Sequence, residues 1–321
     1  MGILPVLLWA VRRMEMNMAL DRRRFLRSTA RGLLATAAGA ALGQAGFAQD
    51  KPAKKIIVGG HPWVYAATQP QYDIYPILDR IFADMSYAGL DGIELMRTAL
   101  GADDAFQDIR ELSKKYDLPV IGTSFSGDMW DRKQHEAIFE DAQAVASNLA
   151  RVGGWTFGVS VGKAPQPKTP AQLDAQAEFL RGLIALCQSK GIVLNLHNHT
   201  YEVENNMHDL KGTLERIPDI KLGPDLNWLV RGGVDPVRFI EAYGKQIVFL
   251  HIRDQKADGK WSEAVGEGSM DYVAIGKALK AANFSGEAVI ELAHEGSFKP
   301  TRPLRESLKM SRAYVKQTLG F

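Results

Sequence analysis

The sequence predicts an α/β fold, a single (β/α)8 TIM barrel, and two features carry that expectation. Eight short apolar runs alternate with segments of helical spacing and turn residues, the rhythm of a parallel sheet whose strands are joined by helices. The last four runs each end near an imidazole or a carboxylate: His197-Asn198-His199, Asp225, His251 and Glu291. Ligating groups delivered from four strands converge only if the strands surround a common axis, and in such barrels chemistry sits at the strands' C-terminal ends. Any one of these residues alone reads as a helix cap or a chance polar strand end. Four in consecutive units do not.

In chain order, the first predicted strand is Ile56–Gly60, followed by a helix from about Pro76 to Ala88. Gly92–Met96 is the second, and Pro119–Thr123 the third, with a long helix over Gln134–Val152 after it. Thr156–Val161 is the fourth, and Pro170–Lys190 supplies its helix. Strands five to eight are Ile192–Leu196, Ile220–Pro224, Ile247–Leu250 and Ala288–Ile290, and a helix over Leu304–Leu319 closes the ring. A doubly wound open sheet uses the same alternation but needs a Gly-rich phosphate turn after an early strand. Gly59-Gly60-His61-Pro62-Trp63 is not one, because Pro62 and Trp63 follow where a helix should begin.

The chain has 321 residues, room for one barrel of about 250 residues plus a leader. Residues 1–48 are set apart as that leader, and residues 49–321 as the barrel. Asp21-Arg22-Arg23-Arg24-Phe25-Leu26-Arg27 resembles a twin-arginine export signal, followed by an Ala/Gly/Leu stretch over Gly32–Leu42 and a small-residue exit at Gly46-Phe47-Ala48. Cleavage is expected after Ala48, delivering a periplasmic protein with the twin-arginine export machinery as a partner. The apolar stretch falls short of the roughly 20 residues that span a bilayer, so no stable membrane span is expected. Met18 is a more natural start than Met1, because the apolar patch over Ile3–Trp9 does not belong to such a signal.

Residues 1–48 hold 7 of the 39 Lys and Arg and 2 of the 37 Asp and Glu; the remaining 32 basic and 35 acidic side chains leave a formal net charge of −3. A mildly acidic barrel without a basic run argues against nucleic acid as a partner. Cys187 is the one cysteine, so no internal disulfide can form, and its place on the apolar side of a predicted helix makes it core filler.

The stretches Leu196–Val203, Leu222–Pro236, Leu250–Asp254, Gly266–Asp271 and Val289–Glu291 together resemble the sugar phosphate isomerase/epimerase family, one of the xylose-isomerase-like TIM barrels. The resemblance covers nearly all of residues 55–320 and is strongest from 191 onward. It implies one divalent metal held at the ends of strands five to eight, with Asp225, His251 and Glu291 matching three ligands position by position. Many relatives carry a glutamate at the fourth position, where this chain has His197, with His199 two residues later. Strand alternation puts both histidines on one face; His197 is the preferred ligand by alignment, with His199 in the substrate pocket or taking the ligand role instead. Two imidazoles and two carboxylates suit Mn2+, Co2+, Zn2+ or Fe2+ better than Mg2+ or Ca2+. Mn2+ is ranked first, and Mg2+ stays on the list.

The chemistry implied is proton abstraction next to the carbonyl of a keto-sugar or related polyol, through a metal-stabilised enediolate. Ketose 3-epimerases of the superfamily exchange protons between two glutamates. Here one of the pair is replaced by His197, which opens isomerisation or elimination beside epimerisation. Glu291, His199, Glu202 and His294 are the candidate acids and bases. Trp63, Trp130, Trp228 and Trp261 lie in loops at the predicted mouth and suit the apolar faces of sugar rings; Trp63, Trp228, Arg253 and Lys163 are the substrate-contact candidates. Arg253 and Asp254 can instead orient ligands. No Gly-rich phosphate cradle lies near Lys163, and export favours free, oxidised or glycosidic sugars over sugar phosphates.

Three other readings compete. An inosose dehydratase or 3-keto-glycoside lyase shares the fold and differs in its pocket loops. An endonuclease-IV-like repair enzyme needs more metal ligands and a positive surface. A non-catalytic sugar-binding barrel would not need the full ligand set. A homo-oligomer is an expectation from the family alone.

Overall fold

The computed structural model describes residues 55–101, 104–296 and 298–321. The leader, its twin-arginine motif and the cleavage position near Ala48 lie outside the described residues.

Seven parallel strands run in the order β5-β4-β3-β2-β1-β7-β6. They are β1 (Val58–Gly60), β2 (Gly92–Met96), β3 (Val120–Ser126), β4 (Thr156–Ser160), β5 (Val193–Leu196), β6 (Phe249–Ile252) and β7 (Glu287–Ile290). The β1–β7 pairing, with Val58 opposite Ala288 and Gly60 opposite Ile290, wraps the sheet round on itself. The predicted seventh and eighth strands are therefore β6 and β7, and β6 begins two residues later than expected, so that His251 lies within it.

The predicted sixth strand is a correction. Ile220–Pro224 forms no ladder, only single bridges from Leu222 to Leu196 and to Ile247, and from Asp225 to His251. Pro224 has no N–H to donate. At Gly223 the Asn195 Oδ1 lies 1.9 Å from where a Cβ would sit, so only glycine allows the approach. Backbone bonds still tie the segment on both sides, Gly223 N to Leu196 O at 2.8 Å and Val248 N to Leu222 O at 2.9 Å. It closes the ring as an eighth stave.

The helices flank the strands on the outside: α1 (Trp63–Ala66), α2 (Leu78–Tyr87), α3 (Arg97–Leu100), α4 (Ala105–Tyr116), α5 (His135–Val152), α6 (Pro170–Ser189), α7 (Thr200–Arg216), α8 (Leu226–Arg231), α9 (Pro236–Tyr243), α10 (Tyr272–Ala281) and α11 (Leu304–Leu319). Their limits follow local chemistry. In α6, Thr169 accepts from Gln172 N while the Gln172 side chain returns to Thr169 N, and Pro170 stands at the first helical position. At the far end of α5, Gly153 takes φ 86° and stops the helix. Cys187 is fully buried on α6, as its apolar surroundings in the sequence suggested. Among the described residues no helix is long and apolar enough to cross a membrane.

Inside the ring the side chains are layered. Ile121, Phe249 and Val289 form a small apolar plug, joined by Ile57, Trp155 and Val248. Two residues further along β6 and β7, on the same face, come His251 and Glu291. The barrel's interior therefore changes from apolar to ionic within one side-chain repeat.

Candidate active site

A cavity of about 670 Å3 opens above that ionic layer, and His61, His197, His199, His251, Arg253 and Glu291 line its floor. They arrive from four strand ends: His61 from β1, His197 and His199 from β5, His251 and Arg253 from β6, and Glu291 from β7. Asp225 caps α8, its Oδ1 accepting from Asn227 N at 2.9 Å and Trp228 N at 2.8 Å. Its Oδ2 is left to face Arg253 Nε at 2.8 Å. The helix-capping role weighed for a lone aspartate is thus real, and it uses one oxygen only.

His251 is gripped from both sides. Its Nδ1 lies 2.5 Å from Glu291 Oε2, and its Nε2 lies 3.1 Å from Glu94 Oε2. Arg253 bonds the other Glu291 oxygen through its guanidinium, and His61 Nδ1 is 3.5 Å from that same oxygen. Burial alone would lower the His251 pKa, but the Glu94 and Glu291 carboxylates prevail and push it up to about 10. Burial works to raise Glu291, yet Arg253, His61 and His251 hold it well below the usual carboxylate range. Asp225, fully buried, is raised by desolvation against the pull of Arg253.

The other three imidazoles of the floor are shifted toward the neutral form. Burial lowers His61, and it lowers His197 well below the ordinary value, with His251 and His199 adding to the effect. His199 is brought down to about 4 by burial and by Arg253.

His197, Asp225 and His251 offer donor atoms that all lie within 4.8 Å of one another. His197 Nδ1 is buried with no hydrogen-bond partner, a vacant lone pair or proton that a cation or water would satisfy. This cluster can bind a divalent metal, and its two-nitrogen, one-oxygen donor set belongs to first-row transition ions. Glu291 stands beside it against His251. The structure brings His197 rather than His199 into the cluster, and the Asp225 Oδ2 that a cation would use also faces the Arg253 guanidinium.

Four predicted residues are placed differently from expectation. Glu202 is buried beneath the floor and does not line the cavity: its Oε1 accepts from Ser160 Oγ at 2.6 Å and Val161 N at 3.2 Å, and its Oε2 from His199 N at 2.8 Å. Helix formation at Thr200 turns it inward, where burial pushes its carboxyl up to about 7. Lys163 is exposed and lines a separate shallow hollow with Gln166 and Glu204, because the chain turns away after Gly162, at φ 81°. Trp130 is likewise absent from the cavity lining, whereas Trp63, Trp228 and Trp261 contribute to it. Asp254 is spent on the loop after β6, accepting from the backbone N–H groups of Gln255, Gly266, Gly268 and Met270 at 2.9–3.2 Å. His294 lines the cavity from the loop after β7.

Sequence reasoning missed Glu94, His61 and Ser160. Glu94 is fully buried in the middle of β2, and a lone carboxylate inside an apolar strand was the available signal. His61 follows Gly60 directly at the end of β1, the same strand-end position that singled out the later ligands. Ser160 ends β4 and left no signal, since a strand-end serine is common. Asn195, on the same face as His197, is buried with neither its amide nitrogen nor its oxygen bonded.

The comparisons agree with this fold. A sugar phosphate isomerase/epimerase from Parabacteroides distasonis superposes with TM-score 0.64 at 18% identity, covering 84% of this chain and 95% of that one. The 3-keto-D-glucoside 4-epimerase from E. coli does so with TM-score 0.63 at 19% identity, over 81% of this chain and 100% of that one. An L-ribulose 3-epimerase gives TM-score 0.68 at 18% identity, over 83% and 95%. At such identities the likeness is one of fold. In sequence, the inosose dehydratase of Clostridium beijerinckii is 24% identical over 170 residues, 45% of this chain and 54% of that protein. The chain thus spans about half the length of the curated relative it matches. A family model for the xylose isomerase-like TIM barrel matches residues 82–314, and the chain belongs to that family.

Proposed function

We propose that this chain is a divalent-metal-dependent enzyme of the sugar isomerase/epimerase type, acting on a keto-sugar or related polyol by removing a proton next to its carbonyl. The observation that carries this reading is the cluster of His197, Asp225 and His251 donor atoms at the base of a cavity that His197, His251 and Glu291 line, with His199, whose pKa burial lowers, beside them. When bound, a divalent ion, Mn2+ first, would polarise the substrate carbonyl and stabilise negative charge as the proton leaves.

The remaining work falls to side chains. Glu291 is kept ionised by Arg253 and His251 and is the first proton acceptor. His199 is the second carrier. Ser160 donates to Glu202 at 2.6 Å, so the Ser160 oxygen is left to accept, and a proton on His199 Nδ1, 3.0 Å away, satisfies it. That leaves His199 Nε2 as the nitrogen free to take a proton. Tyr201, 2.8 Å from Ser160 Oγ and stacked on the His199 ring, holds this arrangement together. Glu202 therefore acts through Ser160, as a positioning residue.

A second reading, elimination by a dehydratase or glycoside lyase, is favoured by the unlike pair of carriers: an imidazole and a carboxylate suit separate base and acid roles better than a symmetric exchange. NMR in deuterated water separates the two. Deuterium entering the carbon next to the carbonyl with an epimer or isomer as product supports the first; an unsaturated product with a released hydroxyl or glycosyl group supports the second. A metal-loaded protein that exchanges no proton in any keto-sugar would sink both and leave the sugar-binding barrel.

Export by the twin-arginine route to the periplasm is part of the proposal, supported by Arg22-Arg23-Arg24 and the Gly32–Leu42 stretch. N-terminal sequencing of the secreted protein should begin at Gln49, and this start should be lost when Arg23 and Arg24 are both replaced by Lys.

A further inference from the structure

The cavity is too large for one sugar ring. At about 670 Å3 it lies in the upper part of the roughly 300–1,000 Å3 range of pockets that enclose drug-sized ligands, more than the about twelve heavy atoms of a hexose fill.

Its aromatic walls are also two, and they come from separate parts of the ring. Trp228 and Trp261 pack edge to face at 5.3 Å beside the floor, with Trp228 5.8 Å from the His199 ring and Arg253 lying over both indoles. On the other side Trp63, from the β1 loop, stacks on Tyr72 at 5.4 Å and 21°. The sheet order places β7, with Glu291 and His294 at its end, between these walls. The inner wall adjoins the proton carriers. The outer one stands at the rim, where Tyr72 is 51% exposed.

Backbone geometry singles out the outer wall. Gln71 and Tyr72 are consecutive non-glycine residues at φ 55° and 58°, a conformation that side chains disfavour and that persists where surrounding structure imposes it. The result is a half-exposed tyrosine stacked on a tryptophan at the cavity's rim. Such a surface suits the apolar face of a sugar ring.

We propose that Trp63 and Tyr72 form a subsite for a second sugar ring, so that the substrate is a disaccharide-sized glycoside whose reacting ring lies over Glu291 and His199. This rests on the sugar-enzyme reading above for the placement of the reacting ring. The two rings then share the cavity, one per aromatic wall.

Tryptophan fluorescence titration of the purified chain tests it without requiring turnover. Cellobiose, maltose and methyl β-glucoside are the probes. At least one disaccharide should bind tenfold or more tightly than the methyl glucoside. Tyr72→Ala should remove that advantage while leaving the methyl glucoside affinity within twofold, and Trp63→Ala should remove it as well. Equal affinities in the parent, no binding of either disaccharide, or a disaccharide advantage that survives Tyr72→Ala overturns the proposal. Should Trp63→Ala unfold, the exposed Tyr72 variant decides alone, with circular dichroism confirming its fold. A two-ring advantage without proton exchange would overturn the catalytic reading only, and exchange without the advantage would overturn this inference only.

Discussion

Two ends of the same barrel interior use the same strands for opposite purposes. At the lower end Phe249 and Val289 close the ring with Ile121, all essentially inaccessible to solvent. Two residues along β6 and β7, His251 and Glu291 face each other with Glu94, Asp225 and Arg253 around them. Burying the plug removes apolar surface from water and stabilises the fold. Burying five ionisable groups does not: pairing recovers only part of their desolvation cost. Glu94 keeps both oxygens without a well-aligned hydrogen bond. The contrast teaches that the rigid apolar end carries the stability that the ionic end lacks.

Substitutions on the two sides should therefore separate activity from stability. The largest effect belongs to Glu291→Gln, which keeps shape and removes the charge: proton exchange measured by NMR on the folded protein should fall by about 10^2–10^4-fold, beyond the stability lost when Arg253 and His251 are left without this counter-charge. A variant that retains exchange within tenfold would remove Glu291 from the chemistry. Phe249→Ala in the plug should do the reverse. It should cost about 3–5 kcal/mol of stability in denaturant unfolding, while folded protein keeps its metal content. Loss of metal at full folding would show that the two ends are not independent.

Glu94→Gln sharpens the comparison at their boundary. Glu94 faces His251 Nε2 at 3.1 Å, a contact that orients the ring and would strengthen it as a ligand for an ion that displaces Glu291 from Nδ1. Titration calorimetry with Mn2+ should show affinity weakened by about 10–100-fold, with unfolding of the metal-free protein unchanged or shifted to greater stability. Unaltered affinity would make Glu94 a buried charge with no bearing on the metal.

The smallest effect concerns Glu202. Its carboxyl is raised by burial to about 7 in the fold from an ordinary 4.5, so the native state favours the proton. The corresponding stability is fully present below about pH 4.5 and is lost as pH rises through 7, by at most roughly 3 kcal/mol. An amide in place of this carboxyl cannot titrate. The thermal midpoint of the parent minus that of Glu202→Gln should therefore fall steadily between pH 5 and 8, and a flat difference would contradict the raised value.

Much of the architecture was legible because it is periodic. The helix over Pro170–Ser189 could be bounded from Pro170 and the turn after Lys190, and Leu304–Leu319 from its spacing alone. The ligand candidates stood out because each ended an apolar run. The sixth stave was harder: its apolar residues read as a strand, but Pro224 and the close approach of Asn195 to Gly223 reduce it to bridges. Lys163 and Trp130 were read as mouth residues because they follow strands, yet where a loop residue points depends on the turn taken, not on its distance from the strand.

The chain's own chemistry determined the alternation of strand and helix, the barrel it builds, and the imidazole and carboxylate types at the strand ends, since these follow from local periodicity and residue identity. Only the tertiary structure decided that Arg253 lies between Asp225 and Glu291, that Glu94 from β2 reaches His251 on β6, and that Glu202 turns beneath the floor toward Ser160. The physical reason is range. Periodicity acts over a few residues, whereas these contacts join side chains 28 to 157 positions apart, and their protonation depends on a shared buried environment that exists only once the ring has closed.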